Sequence, residues 1–224
     1  CVLGEWKPRG ALSLRLAVWI VLSALLNFVD RVRSTRAGQS FFTAARRQPR
    51  SFFGMHLAHL GIAVFIVGVT MVGAYQAEKD VKMEVGDTVS VGGYTFRFNG
   101  VRPAQGPNYR ALVGDIDLVS DGRTIRKMFP EKRFYVASSM PMTEAAIDTG
   151  LLRDVYVSLG EPIDKARPDA AWAVRVYYKP FVDWIWGGCV LMALGGLVAM
   201  TDRRYRVKAA AHSPAPPVSL AQNA

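Results

Sequence analysis

The segment HLAHLGIAVFIVGVTMVGAY, residues 56–75, decides the fold class because its 20 residues include no Asp, Glu, Lys or Arg. An α-helix rises about 1.5 Å per residue, so this segment would extend roughly 30 Å, the thickness of a bilayer's hydrocarbon core. An imidazole at that depth loses its hydrogen bonds to water and must find a partner, carry a proton or bind a metal. The sequence therefore makes His59 the first candidate functional residue.

Two further stretches, Ala11–Val29 and Phe181–Met200, are apolar enough to predict membrane-spanning helices. The chain has 224 residues, 50% of them hydrophobic, and its mean hydropathy is +0.13. This composition is too apolar for an ordinary soluble domain and too polar for a transporter of many helices. We therefore expect a membrane protein with a few α-helical transmembrane segments and one small extracytoplasmic domain.

The formal net charge of +10 is unevenly distributed along the chain. Residues 76–180 carry 15 Lys/Arg against 14 Asp/Glu, whereas the rest carries 28 − 15 = 13 against 18 − 14 = 4. The excess flanks the apolar runs, at Arg31, Arg33, Arg36, Arg46, Arg47 and Arg50, and again at Arg203, Arg204, Arg206 and Lys208. This positive-inside pattern predicts that both basic segments are cytoplasmic, and it favours a membrane rather than nucleic acid as partner.

The predicted organisation has six parts. They are a first transmembrane segment with its flank (1–29), a basic cytoplasmic loop (30–55), a second transmembrane helix (56–75), a periplasmic β-rich domain (76–180), a third transmembrane helix (181–200) and a basic, then disordered, cytoplasmic tail (201–224). Residue 1 is Cys rather than Met, so we expect a truncated chain, with a lipoprotein as the less favoured interpretation. The sequence contains no CxxC or CxxCH motif, so it predicts neither a thiol redox pair nor covalent haem attachment of its own.

Short β-branched and aromatic runs, separated by Gly-Asp, Gly-Gly and Asp-Gly turns, predict strands across residues 76–180. The predicted strands are Val81–Val85, Thr88–Val91, Tyr94–Val101, Ala111–Ser120, Arg123–Phe129, Arg133–Val136, Asp154–Leu159 and Trp172–Tyr178. Glu161–Ala170 is predicted to be a polar loop. Strands of this length and spacing indicate a small barrel or sandwich, and the pattern leaves both open.

His56 and His59 lie three residues apart, which places both rings on one side of a helix. Zinc would need further ligands at suitable spacing, so haem is the more plausible metal group. One helix side cannot supply both axial ligands of an iron. Neither of the other apolar stretches contains a histidine, so the second ligand would lie on a segment that this chain lacks. The alternative, that the pair only hydrogen-bonds to backbone or lipid near the interface, stays open.

Three further groups of residues have both a functional and a structural interpretation. Glu144 and Asp148 would be neighbouring carboxylates if MTEAAID were helical, although a cap or surface pair is favoured. Before the last span, four residues could contact haem propionates or a partner but are better explained as interfacial anchors. They are Arg175, Tyr177, Tyr178 and Lys179. In that span, four glycines indicate either close helix packing or ordinary membrane-helix composition. They are Gly187, Gly188, Gly195 and Gly196.

Eight separated motifs, in order, resemble the C-terminal part of CcmF, the haem lyase subunit of bacterial cytochrome c maturation. They are GMHLAHLGIAVFIVG (54–68), QAEKD (76–80), GPNYRA (106–111), EKRFY (131–135), MTEAAID (142–148), RDVYVSLGE (153–161), WAVRVYYKPFVDWIWGG (172–188) and DRRYR (202–206). The resemblance covers roughly residues 50–206. Residues 1–49 share with the family mainly a span and a basic loop.

The resemblance implies a set of partners and a cofactor. CcmF proteins attach haem to the CxxCH cysteines of apocytochrome c, receiving haem from the chaperone CcmE and the apoprotein from a CcmH-type subunit. They also hold a b-type haem in the bacterial inner membrane, and His59 matches one axial ligand of that haem, so it is the candidate cofactor-binding and metal-binding residue. Position 56 is not a histidine in the family pattern, which makes His56 incidental.

The chain lacks the family's tryptophan-rich WWD motif, its two flanking external histidines and the partner axial histidine, all of which belong to the N-terminal half. We therefore expect this chain not to be an active enzyme alone and to share its haem b with the N-terminal CcmF half. The alternative function is a haem-free membrane scaffold whose periplasmic β-domain docks partner proteins. A transporter segment is disfavoured because the spans contain almost no polar groups near their midpoints.

Overall fold

The computed structural model describes residues 8–137, 140–164 and 171–202. Its helices are α1 (Pro8–Ser34), α2 (Phe41–Arg46), α3 (Arg50–Tyr75) and α4 (Val182–Met200). In this part of the chain α1, α3 and α4 are long and apolar enough to cross a membrane, which confirms the three expected helices. Helices α1 and α3 begin before the predicted spans, because backbone hydrogen bonding continues into polar residues that hydropathy does not count.

Ten strands follow α3. They are β1 (Ala77–Glu84), β2 (Thr88–Val91), β3 (Tyr94–Gln105), β4 (Tyr109–Ser120), β5 (Arg123–Met128), β6 (Glu131–Tyr135), β7 (Pro141–Glu144), β8 (Ala146–Asp148), β9 (Arg153–Pro162) and β10 (Ala171–Pro180). The eight predicted strands are all present, with β2 at the predicted limits. The predicted loop at Glu161–Ala170 is wrong at its start, because Glu161 and Pro162 still belong to β9, and residues 165–170 lie outside the described part.

The strands form two antiparallel sheets, which decides between barrel and sandwich. One sheet has the order β1-β10-β9-β8, and the other has the order β2-β3-β4-β6-β7 with β5 also paired to β4. Alternate side chains from both sheets meet in one core. Its largest fully buried members are Trp172, Phe96, Phe98, Met83, Ile116, Leu118 and Leu159. The domain is a β-sandwich.

The chain divides into two compact units. The first contains Val64–Gly187 with the N-terminal end of α1, and the second contains Val18–Ala63 with Gly188 onward. In the first unit the sandwich is connected directly to the ends of α3 and α4. The second unit contains the rest of the membrane-spanning helices and α2.

Glycines bring α3 and α4 into close contact within the second unit. A Cβ atom at Gly54 would lie 2.4 Å from the Gly195 carbonyl oxygen, and one at Gly61 would lie 2.8 Å from the Gly188 carbonyl oxygen. Gly188 and Gly195 are buried. By contrast, Gly187 and Gly196 have open space where a Cβ would be. Close packing was therefore the correct interpretation for one pair of α4 glycines and ordinary composition for the other.

On the outer face of the sandwich, Asp117 of β4 is 5% exposed and accepts a hydrogen bond of 2.6 Å from Arg97 of β3. Lys127 of β5 lies 3.9 Å from the other carboxylate oxygen. The Arg97 hydrogen bond holds the pKa of Asp117 below its usual value, against the opposing effect of burial. The pair therefore stabilises the fold above the pKa of the unfolded chain and is lost as pH falls through the lower native pKa.

Asp117→Asn is expected to destabilise the sandwich by about 1–2 kcal/mol at pH 7, because it removes the negative charge that pairs with Arg97. The loss is no larger because Arg97 is half exposed and water screens the pair. The difference in unfolding free energy from the parent should begin to narrow as pH falls below about 4, where Asp117 of the unfolded chain takes up a proton, and should close only below the lower native pKa. Urea unfolding across this pH range measures it. The exposed Glu84→Gln serves as control, and parallel pH profiles for the two variants would contradict the role of Asp117.

Candidate ligand site on helix α3

Helix α3 begins at Arg50, directly after Pro49, and its first turn is capped from a distance in sequence. The Ser51 backbone N–H donates to the Asp202 carboxylate at 2.9 Å. A carboxylate there satisfies a free backbone donor and complements the positive end of the helix dipole. Nothing in the local sequence predicted this contact, because Asp202 follows α4. His59 lies nine residues after Arg50, about 14 Å along the axis of α3.

The His59 ring is held in one tautomer by its own helix. Its Nδ1 lies 2.7 Å from the Met55 carbonyl oxygen. Because a carbonyl oxygen only accepts, Nδ1 must carry the hydrogen, and in the neutral ring Nε2 keeps a free lone pair. Among the described residues none hydrogen-bonds to Nε2, and the side chain is exposed. His59 therefore presents a ligand nitrogen outward from this chain.

The face of α3 that carries His59 is apolar and uncovered within its own unit. Met55 and Ile62, about one turn before and after His59, are 41% and 37% exposed. At 100° per residue, Gly54 and Gly61, which contact α4, lie on the other side of the helix. The open stripe could pack against another apolar helix, to which the His59 Nε2 would present a polar ligand atom.

His56 has a different environment. Its Nδ1 lies 2.8 Å from the Phe52 carbonyl oxygen, and its Nε2 lies 3.0 Å from the Ala24 carbonyl oxygen on α1. The ring also packs against Phe52 and Phe28, with centroid distances of 4.3 and 5.4 Å. Both nitrogens face carbonyl oxygens, so neither is available to a metal. The two histidines that sequence spacing grouped together therefore differ in environment. In the described part of the chain, His56 joins α3 to α1, whereas His59 does not.

His56→Leu is expected to weaken the packing of α1 on α3 by about 1–2 kcal/mol, because it removes the contact with Ala24 and alters the stack on two phenyl rings. Thermal unfolding in detergent micelles measures the loss. Ile62→Ala, on the exposed face of the same helix, is the control and should change stability by less than half as much. Equal losses would show that the His56 contact adds nothing specific.

The interpretation of Glu144 and Asp148 as neighbouring carboxylates on a helix is wrong. Glu144 ends β7 and Asp148 ends β8, and these strands belong to different sheets. Asp148 accepts a hydrogen bond of 2.5 Å from Arg126 and pairs with Arg153, while Glu144 lies 3.5 Å from Arg133. Strand pairing with β6 and β9 overrides the local helical preference. Each carboxylate is neutralised by arginine and has a structural role.

Arg175 does not provide a free cation for a ligand. It donates a hydrogen bond of 2.6 Å to Asp80 on the adjacent strand β1, and Glu78 lies 3.5 Å away. The hydrogen bond that Arg175 donates to Asp80 raises the pKa of Arg175 above its usual range. Lys179, nearer the end of β10, lies over the Tyr156 ring at 5.3 Å. The structure therefore gives Arg175 carboxylate partners inside its own sheet.

Residues 74–180 match a protein-family model described as the CcmF C-terminal β-sandwich, which agrees with the two sheets found here. The chain belongs to the CcmF family. It corresponds to the C-terminal part of these proteins, and with its three apolar helices it is a multi-pass membrane protein.

Curated CcmF relatives cover nearly all of this chain. Cytochrome c-type biogenesis protein CcmF of Pseudomonas aeruginosa is 48% identical over 86% of the chain, and that of Escherichia coli K12 is 42% identical over 92%. Protein ccl1 of Rhodobacter capsulatus is 38% identical over 94%. The chain spans 28%, 30% and 31% of these three proteins, respectively, so it represents less than a third of their length.

A solved structure, described as the cytochrome c haem lyase CcmF, has the same fold. It superposes with a TM-score of 0.71 and 18% sequence identity, covering 89% of this chain and 31% of that one. At this identity the match shows the fold alone. It does not by itself assign a role to any side chain.

Proposed function

We propose that this chain is the C-terminal module of a cytochrome c-type biogenesis haem lyase and that His59 provides one axial ligand to a membrane b-type haem. One observation carries the proposal: His59 presents an unpaired Nε2 from an apolar helix face, while its Nδ1 is bonded to the Met55 carbonyl. The described residues contain no cluster of three or more metal-ligating side chains. The second axial ligand would therefore be a histidine on the N-terminal CcmF half.

The residues present fit such a group. A backbone carbonyl on Nδ1 fixes the ring orientation and increases the basicity of the ligating Nε2. Met55 and Ile62 on either side would exclude water and lower the local dielectric once a partner covers this face, and both effects help to set a haem potential. When bound, the haem would supply a one-electron redox centre. This chain would hold and orient one side of it.

We further propose that the sandwich faces the periplasm from a bacterial inner membrane. The support is the near neutrality of residues 76–180 and the arginines that flank the other ends of the spans, among them Arg31, Arg33 and Arg50. In that position the sandwich would help to assemble the N-terminal half with CcmE, a CcmH-type subunit and apocytochrome c. Ligation of haem to CxxCH would then need the complete assembly.

The test is an absorption spectrum, with pyridine haemochrome, of the purified chain made alone and made together with the N-terminal half. We expect b-type haem only in the co-expressed sample, because each half supplies one axial histidine. No haem in a co-purified, folded complex would refute the ligand role. Haem retained by the chain alone would refute the sharing of ligands between halves.

A haem-free scaffold is the second candidate function, and one feature of the sandwich favours it. Met142 on the edge strand β7 is 53% exposed, and Met140, two residues earlier on the same side of the chain, is 75% exposed. Such an apolar patch at a sheet edge suits a protein partner. If the complex forms without haem and loses its partners in Met142→Asp, the scaffold is the better account.

A further inference from the structure

The loop between β8 and β9, residues 149–152, is attached to the start of α4 by two hydrogen bonds. The Leu152 carbonyl oxygen accepts from the Phe181 backbone N–H at 3.0 Å. The Leu151 carbonyl oxygen accepts from the Trp184 indole N–H at 3.0 Å. Because α4 begins at Val182 and is a candidate membrane span, these contacts place the loop beside the point where the chain enters the bilayer.

Phe181, which links β10 to α4, holds the loop in a fixed geometry. It has φ = 58°, a left-handed conformation that is rare for a bulky residue and persists only where its surroundings impose it. Its ring packs edge-on against Trp184 at 5.0 Å. The N–H of this strained residue is the one that donates to Leu152. The loop and the first turn of α4 are therefore positioned together.

Several backbone groups of the loop are hydrogen-bonded, whereas its apolar side chains are uncovered. The Gly150 N–H donates to Asp154 at 3.2 Å, and the Arg153 N–H donates to the Gly150 carbonyl at 3.2 Å. Leu151 and Leu152 are nevertheless 71% and 57% exposed. The carbonyl oxygens of Gly150, Leu151 and Leu152 are all hydrogen-bonded, and paired carbonyls beside exposed leucines suit a segment in contact with an apolar medium.

Residues around the loop are those that favour a membrane–water boundary. Strand pairing places Lys179 opposite Asp154 and Pro180 opposite Arg153, at the same end of the sheet. Lys179 lies over the rings of Tyr156 and Tyr177, at 5.3 and 5.4 Å. Tyrosine, tryptophan and lysine with apolar stems are enriched at the headgroup level of bilayers.

We propose that Leu151 and Leu152 insert into the interface between lipid headgroups and acyl chains, where they anchor the β-sandwich to the membrane independently of the spans. Lipid is the occupant because the loop is hydrogen-bonded to the start of a candidate membrane span, α4, whose first turns also expose an apolar ring, Trp186, at 69%. This anchor would set the tilt of the sandwich on the bilayer. It involves no haem and stands whether or not His59 binds iron.

The test measures the membrane depth of a fluorescent label at the loop. Leu151→Cys, in a chain with Cys1 and Cys189 replaced by serine, is labelled with an environment-sensitive fluorophore and reconstituted in phosphatidylcholine–phosphatidylglycerol nanodiscs. Ile163→Cys is the matched control, since Ile163 is 54% exposed and follows the far end of the same strand. The ten residues of β9 separate the two sites by roughly 33 Å.

We expect blue-shifted emission at position 151 and several-fold stronger quenching than at 163 by lipids that carry a nitroxide just below the headgroup. Equal quenching at the two positions would overturn the proposal. A label at 151 that is quenched in the chain alone but shielded in the complex with the N-terminal half would assign the loop to a protein partner and would also overturn it. If Leu151→Cys does not fold, as judged from the near-ultraviolet dichroism of buried Trp172, Leu152→Cys is measured in the same way.

Discussion

His59→Ala is expected to abolish b-type haem in the complex of this chain with the N-terminal CcmF half. The substitution removes the outward-facing Nε2, and no other described side chain of the second unit presents an unpaired imidazole nitrogen. Loss of an outer hydrogen-bond partner already lowers metal affinity about 10–100-fold, so loss of the ligand itself should exceed that. Pyridine haemochrome, normalised to protein, measures the effect.

His56→Gln is the matched control, because it changes a histidine one turn away whose two nitrogens both face carbonyl oxygens. It should retain haem. His59→Gly supplies a second check, since added imidazole can occupy the vacated space and restore the spectrum. Full haem content in His59→Ala would refute the assignment, and equal loss in His56→Gln would trace the effect to helix packing rather than ligation.

Gly195→Ala is expected to destabilise the contact between α3 and α4 by about 1–3 kcal/mol, the usual cost of forcing extra volume into a packed site. A Cβ atom there would lie 2.6 Å from the Ala58 backbone nitrogen and 2.6 Å from the Gly54 carbonyl oxygen. Both are backbone atoms of a helix and cannot move aside singly. The two helices would have to separate.

Gly196→Ala, at the next residue, is the control. It has open space for a Cβ, so it should be neutral or stabilise the helix by up to about 1 kcal/mol through helix propensity. Unfolding of both variants by sodium dodecyl sulfate in mixed micelles compares them. If they shift the midpoint in the same direction, the close contact at Gly195 does not hold the helices together.

Gly61→Ala extends the test along the same seam, because its Cβ would lie 2.7 Å from the Met192 backbone nitrogen. Once either substitution has separated α3 from α4, the other should reduce the free energy of unfolding by a smaller amount. The double variant is therefore expected to lose less stability than the sum of the two single variants.

Much of the architecture followed from local chemistry. Apolar length predicted all three spans, although Arg15 and Asp183 lie near the starts of two of them, since a bilayer requires about 20 mostly apolar residues. Turn residues such as Asp121-Gly122, with φ of 50° and 74°, marked strand ends because few other residues adopt that conformation. The same reasoning missed β7 and β8, which are short and depend on pairing with β6 and β9.

At the candidate site, sequence alone selected His59 as an imidazole in an apolar helix, and resemblance to a family gave it a ligand role that is now a proposal. Spacing could not distinguish it from His56, because three residues of separation say nothing about which carbonyl each ring meets. That difference depends on Ala24, 32 residues away on another helix. The distant cap of α3 by Asp202 likewise has no local signal.

Hydropathy, charge and turn chemistry are properties of neighbouring residues, and they determined the number of spans, the β-rich segment and the first candidate ligand. Contacts between residues far apart in sequence decided the rest. They made the strands a sandwich, buried Gly195 while leaving Gly196 open, and turned Glu144 and Asp148 into members of separate ion pairs. Each of these outcomes depends on which elements pack together, and packing is set by shape across the whole fold rather than by the order of residues in one segment.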